Sequence, residues 1–219
     1  MLAGVAADNG AELVVFPELS LTGYEPKRAA ELALNLDDAC FDDLQCFCNN
    51  KKVSIGVGVP LKTASLPLVS TLLFRPGQNP LVCSKMYLHP DEKPYFMPAT
   101  DSPSLIIDEP RIALAICFEL SVPQHAQRAI DAGASVYIAS VAKTASGLGN
   151  ASQRLSEMAA ESSMLVLMAN CLGQLDGEEC IGTSSVWGRN GVPMAQLDNE
   201  HEGVIIVDSE SEETFITTP

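Results

Sequence analysis

Seven short segments of this chain are almost wholly apolar: ELVVFPE (12–18), VSIGVGVP (53–60), STLLFRPG (70–77), LVCSKMYL (81–88), RIALAICFE (111–119), ASVYIAS (134–140) and MLVLMANC (164–171). A strand with one wet face alternates apolar and polar residues. A near-continuous apolar run instead marks a sheet covered on both sides or enclosed in a sandwich. Helical stretches lie between several of these strands. In 37–51, Cys40, Leu44, Phe47 and Cys48 fall at i, i+4, i+7 and i+8, one stripe of an amphipathic helix that Asp37 would cap. Leu155, Met158, Ala159 and Ser162 give a second stripe in 152–164, and 123–132 opens on Pro123, a favoured first helical residue. The pattern is α/β.

Turn chemistry predicts two hairpins, at Arg75-Pro-Gly-Gln-Asn-Pro80 and at Gly188-Arg-Asn-Gly191. A faint internal echo links Asp8-Asn-Gly-Ala-Glu-Leu-Val-Val15 to Asp131-Ala-Gly-Ala-Ser-Val-Tyr-Ile138, each reading as a helix end with a terminating glycine that feeds a buried strand. A pseudo-symmetric two-sheet domain would leave such a trace. With no linker, repeat array or low-complexity tract, the expectation is one domain over residues 1–219. The acidic stretch 208–213 reads as a solvated tail or arm.

Composition narrows the function classes. Thirteen Lys and Arg against 28 Asp and Glu give a net charge of −15, which disfavours phosphate backbones and anionic membranes as partners. Hydrophobic residues make up 47% of the chain, too many for disorder, yet no run approaches the roughly 20 apolar residues of a membrane span. The seven cysteines are odd in number and contain no CxxC pair, so free thiols and a reducing compartment are expected, with no metal site. The first residues lack a basic n-region followed by an apolar h-region, and a cytoplasmic location is the default.

Three strand ends each deliver one chemically pointed residue: Glu18, Lys85 and Cys117. Cys117 closes an apolar strand just before a turn that leads to Pro123, a setting in which backbone N–H groups and a helix end favour the thiolate. Singly, each residue also has an ordinary structural reading: a loop acid, a surface lysine, a buried thiol. Cys40, Cys46, Cys48 and Cys83 are read as structural, as are Cys171 and Cys180. A cysteine–histidine pair is the alternative chemistry, but His89, His125 and His201 have no evident orienting partner, and Asn170 reads as a turn residue.

ELVVFPELSLTGY (12–24), the Lys85-Met-Tyr-Leu-His-Pro-Asp-Glu92 run, IALAICFE (112–119), MANCLG (168–173) and GTSS (182–185) together resemble the nitrilase superfamily of carbon–nitrogen hydrolases, in the same order and over nearly the whole chain. The resemblance implies a four-layer α-β-β-α sandwich of two mixed sheets. Relatives begin with a strand and a full helix ahead of this strand, whereas eleven residues precede Glu12 here, so the first strand is expected to be missing. It also implies a Glu-Lys-Cys triad of Glu18, Lys85 and Cys117, with Glu92 as a second glutamate that Asp91 or Glu109 could be confused with. Glu18 would be the base, Cys117 the nucleophile, and Lys85 with the Phe118 backbone N–H the oxyanion holder. Ser121 stands where many relatives carry arginine.

The stretch 140–149 reads as a loop after a strand, where relatives build their pocket, and makes Ser140, Val141 and Ala142 candidate substrate contacts, with Tyr24 walling the other side. The activity implied is hydrolysis of a non-peptide C–N bond, in a small aliphatic amide or ω-amide, through a cysteine thioester, with no metal or organic cofactor. An N-carbamoyl or nitrile substrate, amide-type acyl transfer, and an inactive truncated scaffold stay open. The expected partners are a small-molecule amide and further copies of the chain, as a homodimer or larger homo-oligomer.

Overall fold

The computed structural model describes residues 2–218. Two β-sheets face each other. The first has the order β1–β2–β3–β4, formed by Leu13–Val15, Ser54–Leu61, Leu68–Phe74 and Leu81–Ser84; β1 runs parallel to β2, and the other pairs are antiparallel. The second has the order β12–β11–β8–β7–β6–β5, formed by β5 (Ile107–Asp108), β6 (Arg111–Ile116), β7 (Val136–Val141), β8 (Leu165–Asn170), β11 (Ser185–Trp187) and β12 (Pro193–Gln196). Its β6, β7 and β8 are parallel, and the flanking strands pair antiparallel. Two hairpins complete the strands: β9 (Leu172–Leu175) with β10 (Glu178–Ile181), and β13 (Val204–Val207) with β14 (Thr214–Thr217).

Alternation along single strands builds the layers, because successive side chains leave opposite faces of a sheet. In β7, Val136 and Ile138 enter the core between the sheets, with Leu73, Leu114 and Leu165. Tyr137, Ala139 and Val141 face the other way, onto Ala129 of α4 (Pro123–Asp131) and Leu155 and Ala159 of α5 (Ala145–Ser162). On the first sheet, Ile55, Val57, Leu72 and Phe74 pack against Ala3 of α1 (Leu2–Asp8) and Cys48 of α3 (Asp42–Lys51). A short α2 (Ala29–Leu32) lies between α1 and α3 in the chain. The result is the four-layer α-β-β-α sandwich of two mixed sheets. Among the described residues, no helix is long and apolar enough to cross a membrane.

The internal echo is structural. α1 ends at Asp8 and α4 at Asp131; Gly10 and Gly133 both take the left-handed conformation, at φ +85° and +73°. In each copy the next residue closes the helix with the same long-range bond, Ala11 N–H to Ala6 C=O and Ala134 N–H to Ala129 C=O. Both hairpin turns form where Pro-Gly and Asn-Gly place them.

Three local expectations need correction. The helix near residue 40 is capped by Asp38, not Asp37: the Asp38 carboxylate accepts the Cys40 N–H at 3.0 Å. The segment 140–149 is no loop. Ser140 and Val141 finish β7, and α5 begins at Ala145 despite Gly147 and Gly149, because Leu148 and the residues after it pack on the second sheet. The acidic stretch 208–213 is the tight connection between β13 and β14, where Asp208 accepts the N–H groups of Glu210 and Ser211.

Candidate active site

The strand ends that carry the candidate residues converge. Two antiparallel steps make β4 point the same way as β1 and β2, so the carboxyl ends of β1 and β4 lie on one edge of the first sheet. Ser140 Oγ, near the end of β7, donates to the Phe16 carbonyl just after β1 at 2.8 Å and brings the second sheet's carboxyl edge against it. Clefts at such edges are where α/β sheets build their sites.

Glu18, Lys85 and Glu92 form one buried cluster. Lys85 Nζ lies 2.7 Å from Glu18 Oε1 and 2.7 Å from Glu92 Oε1, and the Lys85 side chain is wholly shielded from solvent. Burial alone would push the Lys85 ammonium down, but Glu18, the Cys117 sulfur and Glu92 outweigh it and hold it above its ordinary value. Burial raises Glu18 above the usual carboxylate range, opposed by Lys85 and reinforced by Glu92. Of Asp91, Glu92 and Glu109, Glu92 is the one that the structure brings to Lys85. Its Oε1 also accepts from the Tyr24 hydroxyl at 3.1 Å, and its Oε2 takes the His89 N–H at 2.7 Å. Asp91 is exposed and Glu109 sits at a solvent-facing turn. Glu18 differs from Glu92 in two respects: its Oε2 is buried with no hydrogen-bond partner, and the Cys117 thiol lies beside the carboxyl.

Cys117 begins a five-residue 3₁₀ turn, Cys117–Ser121, directly after β6, at φ +46°. That left-handed conformation costs a residue with a Cβ on the order of 1 kcal/mol and turns the side chain out of the strand direction. The Phe118 N–H is among the first of the turn, where no helical carbonyl is available to accept it. The thiol differs from expectation. Burial first, and then the charge of Glu18, push it up to about 12, against the lowering effects of Lys85, Lys143 and the Ala142 N–H. At neutral pH the sulfur therefore rests as a thiol and needs a base to attack.

The pocket contacts expected from 140–142 divide. Val141 is wholly buried in the packing against α5, and the Ser140 hydroxyl is spent on Phe16, so neither side chain is open to a substrate. Ala142 stays at the site through its backbone N–H, beside the Cys117 sulfur. The Tyr24 hydroxyl is committed to Glu92, and burial pushes its pKa above the ordinary phenol value, keeping it protonated as a donor. The histidines have partners other than the sulfur. His125 bonds Tyr137 through Nδ1 at 2.9 Å, His201 bonds Asp198, and His89 packs edge-on to Phe118 with ring centroids 5.3 Å apart.

A profile of the carbon-nitrogen hydrolase family matches residues 1–214. The chain belongs to the carbon-nitrogen hydrolase family. It is an enzyme class of the nitrilase type, and the fold agrees. The amidase from Nesterenkonia sp. AN1 superposes with a TM-score of 0.81 at 23% identity, covering 91% of this chain and 80% of the amidase. A mutant of that amidase, described as belonging to the nitrilase superfamily, superposes at 0.80 with 23% identity, covering 91% and 78%. Another structure of it, with acrylamide added to its active-site cysteine, gives 0.81 at 23% identity and covers 91% and 80%. At this identity the likeness establishes the fold. No curated protein matches the chain.

Three supporting residues of this carbon-nitrogen hydrolase escape sequence reasoning. A Cβ on Gly58 would fall 2.1 Å from Leu19 N and 2.8 Å from the Pro17 carbonyl oxygen, so only glycine lets the Glu18 turn lie on β2. Asn170 braces the end of β7: its Oδ1 accepts the Lys143 N–H at 2.7 Å, and its Nδ2 donates to the Lys143 and Gly182 carbonyls. Glu119 is the third. A buried carboxylate two residues after the cysteine was visible as Cys-Phe-Glu, but two of its partners, Met86 and Tyr87, lie 33 and 32 residues upstream, beyond any local pattern.

Proposed function

We propose that the chain hydrolyses a small aliphatic amide through a thioester on Cys117. The observation that carries this reading is the idle, buried Oε2 of Glu18 beside a sulfur held in its thiol form. Glu18 takes the thiol proton as Cys117 Sγ bonds to the amide carbon, and the carbonyl π pair moves onto oxygen. Lys85 Nζ and the Phe118 N–H stabilise that oxyanion. As the C–N bond breaks, Glu18 returns the proton to the departing nitrogen. Water then attacks the thioester, giving one proton to Glu18; the carboxylic acid leaves, and the sulfur is reprotonated. A carboxyl raised by burial suits both directions of proton transfer. Glu92, saturated with donors, holds Lys85 in place.

Lys143 favours an acyl chain that ends in a carboxylate, an ω-amide. It directly follows Ala142, its charge acts on the Cys117 sulfur, and no carboxylate among the described residues lies within ion-pair distance of it. Seven unpaired thiols fit action in a reducing cytoplasm, and self-association belongs to the same reading.

Rapid acid quench of the enzyme with a panel of aliphatic amides, ω-amides, nitriles and N-carbamoyl compounds, followed by peptide mass spectrometry, tests this. The expected result is an acyl adduct on the Cys117 peptide, ammonia release, and loss of both in Cys117→Ala. An adduct on a different cysteine, turnover retained in Cys117→Ala, or no reaction with any member sinks it. Generic thiol labelling is a poorer test, because Cys40 and Cys46 are exposed.

A further inference from the structure

We propose that Glu119 is a positioning residue that sets the separation of Lys85 from Cys117 by clamping the two turns that carry them. Its Oε1 accepts the Met86 N–H at 2.7 Å and the Tyr87 N–H at 3.3 Å, the two residues that follow Lys85. Its Oε2 accepts the Ile116 N–H at 2.9 Å, the residue that precedes Cys117. One buried carboxylate therefore joins the end of the first sheet to the end of the second. Both sides of the carboxylate face N–H donors, so only an acceptor on each oxygen satisfies the site. The neighbouring His125 ring, with Nε2 at 3.6 Å, is held neutral by burial and by Arg128, so it supplies no competing charge. Glu119 touches none of the three reacting groups directly. It acts on where they stand.

The geometry explains why this position must carry a carboxylate of this length. In Glu119→Gln, whichever way the amide turns, its NH₂ meets either the Met86 and Tyr87 donors or the Ile116 donor. One half of the clamp becomes a repulsion. In Glu119→Asp the charge stays, but the shorter side chain cannot span both turns. A displacement of about 1 Å between reacting groups costs on the order of a hundredfold in rate.

The inference rests on the Cys117 thioester reading, and the experiment separates the two. Wild type, Glu119→Gln and Glu119→Asp are compared for kcat and KM on a panel amide, for cooperative unfolding, and for the rate of Cys117 alkylation against pH, read on its own peptide. The expected result is a kcat at least about tenfold lower in both variants with KM nearly unchanged, and slower alkylation of Cys117 that needs higher pH, because Lys85 no longer lowers the thiol. Loss of the Glu119 charge alone would move that profile the opposite way. Unchanged kcat, or an alkylation profile that stays put or moves to lower pH, overturns the inference. So does failure of both variants to fold, which would make the carboxylate a requirement of the fold. If wild type itself forms no adduct on Cys117, the functional reading fails instead.

Discussion

The turn after β1 and the turn after β4 each bury a glutamate 2.7 Å from the same lysine nitrogen, yet they leave the two carboxylates in different chemical conditions. Glu92 is saturated by Lys85, Tyr24 and the His89 N–H, and Glu18 keeps one oxygen without a partner beside the sulfur. The turns are also held differently. The Glu92 turn is fixed by side-chain bonds, whereas the Glu18 turn is fixed by backbone lying on backbone at Gly58, with the Ser20 hydroxyl accepting the Gly58 N–H at 3.0 Å. What separates the proposed base from the proposed brace is hydrogen-bond completeness, with burial and distance to the cation nearly equal.

The strongest way to break that comparison is to neutralise each glutamate in turn. Glu18→Gln should lower kcat/KM by about 10²–10⁴-fold, the usual worth of a positioned acid–base group. Glu92→Gln should cost less, because its role is to hold Lys85. The pH profile gives the sign. Burial raises Glu18 above 4.5, so the base is protonated and idle below its shifted value, and kcat/KM should climb with pH along a limb centred above 4.5. That limb should vanish in Glu18→Gln and persist in Glu92→Gln. A limb surviving in Glu18→Gln would reverse the two roles.

Gly58→Ala probes how the Glu18 turn is held. The new methyl would collide with backbone atoms of Pro17 and Leu19, which cannot rotate away, and the turn must shift. Loss of about 1–3 kcal/mol in denaturant unfolding and on the order of a hundredfold in kcat are expected. Gly56→Ala on the same strand is the control: its Cβ would meet only side chains, the nearest at 3.4 Å, and should change both readouts far less. Equal effects at the two glycines would show that the strand, and not the turn, is what matters.

Much of this arrangement was legible in the chain and some was not, for physical reasons. The buried strands announced themselves because a sheet covered on both faces needs apolar residues at most positions, and β2, β3, β6, β7 and β8 come close to that, with Ser70, Thr71, Ser140 and Asn170 as buried polar exceptions. The convergence of Glu18, Lys85 and Cys117 left a local trace, because Lys85 and Cys117 directly follow β4 and β6 and Glu18 lies just beyond β1. Ser140 and Val141 misled for the same reason: near a strand end, period-2 geometry sends one side chain toward the other sheet and the next under α5, and neither reaches the cleft. α5 was read short because Gly147 and Gly149 disfavour helix locally, a preference that packing of Leu148 overrides. Gly58 and Glu119 left no periodic trace, since what they satisfy is a close approach and a set of N–H groups from distant segments.

The smallest expected effect sharpens the comparison from the Glu92 side. Tyr24→Phe removes a hydroxyl that donates to Glu92 Oε1 and that burial keeps protonated, while leaving the ring packed near Phe96 and Ile116. Glu92 then still holds Lys85 and the His89 N–H, so the carboxylate loses one of three donors. About 1–2 kcal/mol of stability should go, the usual worth of a hydrogen bond to a charged group partly offset by the removal of a polar atom from an apolar setting. kcat should fall only severalfold, because Lys85 keeps both carboxylates. A loss as large as that of Glu18→Gln would place Tyr24 among the groups that touch the substrate, and the distinction drawn between the two turns would then have to include a third acid–base partner.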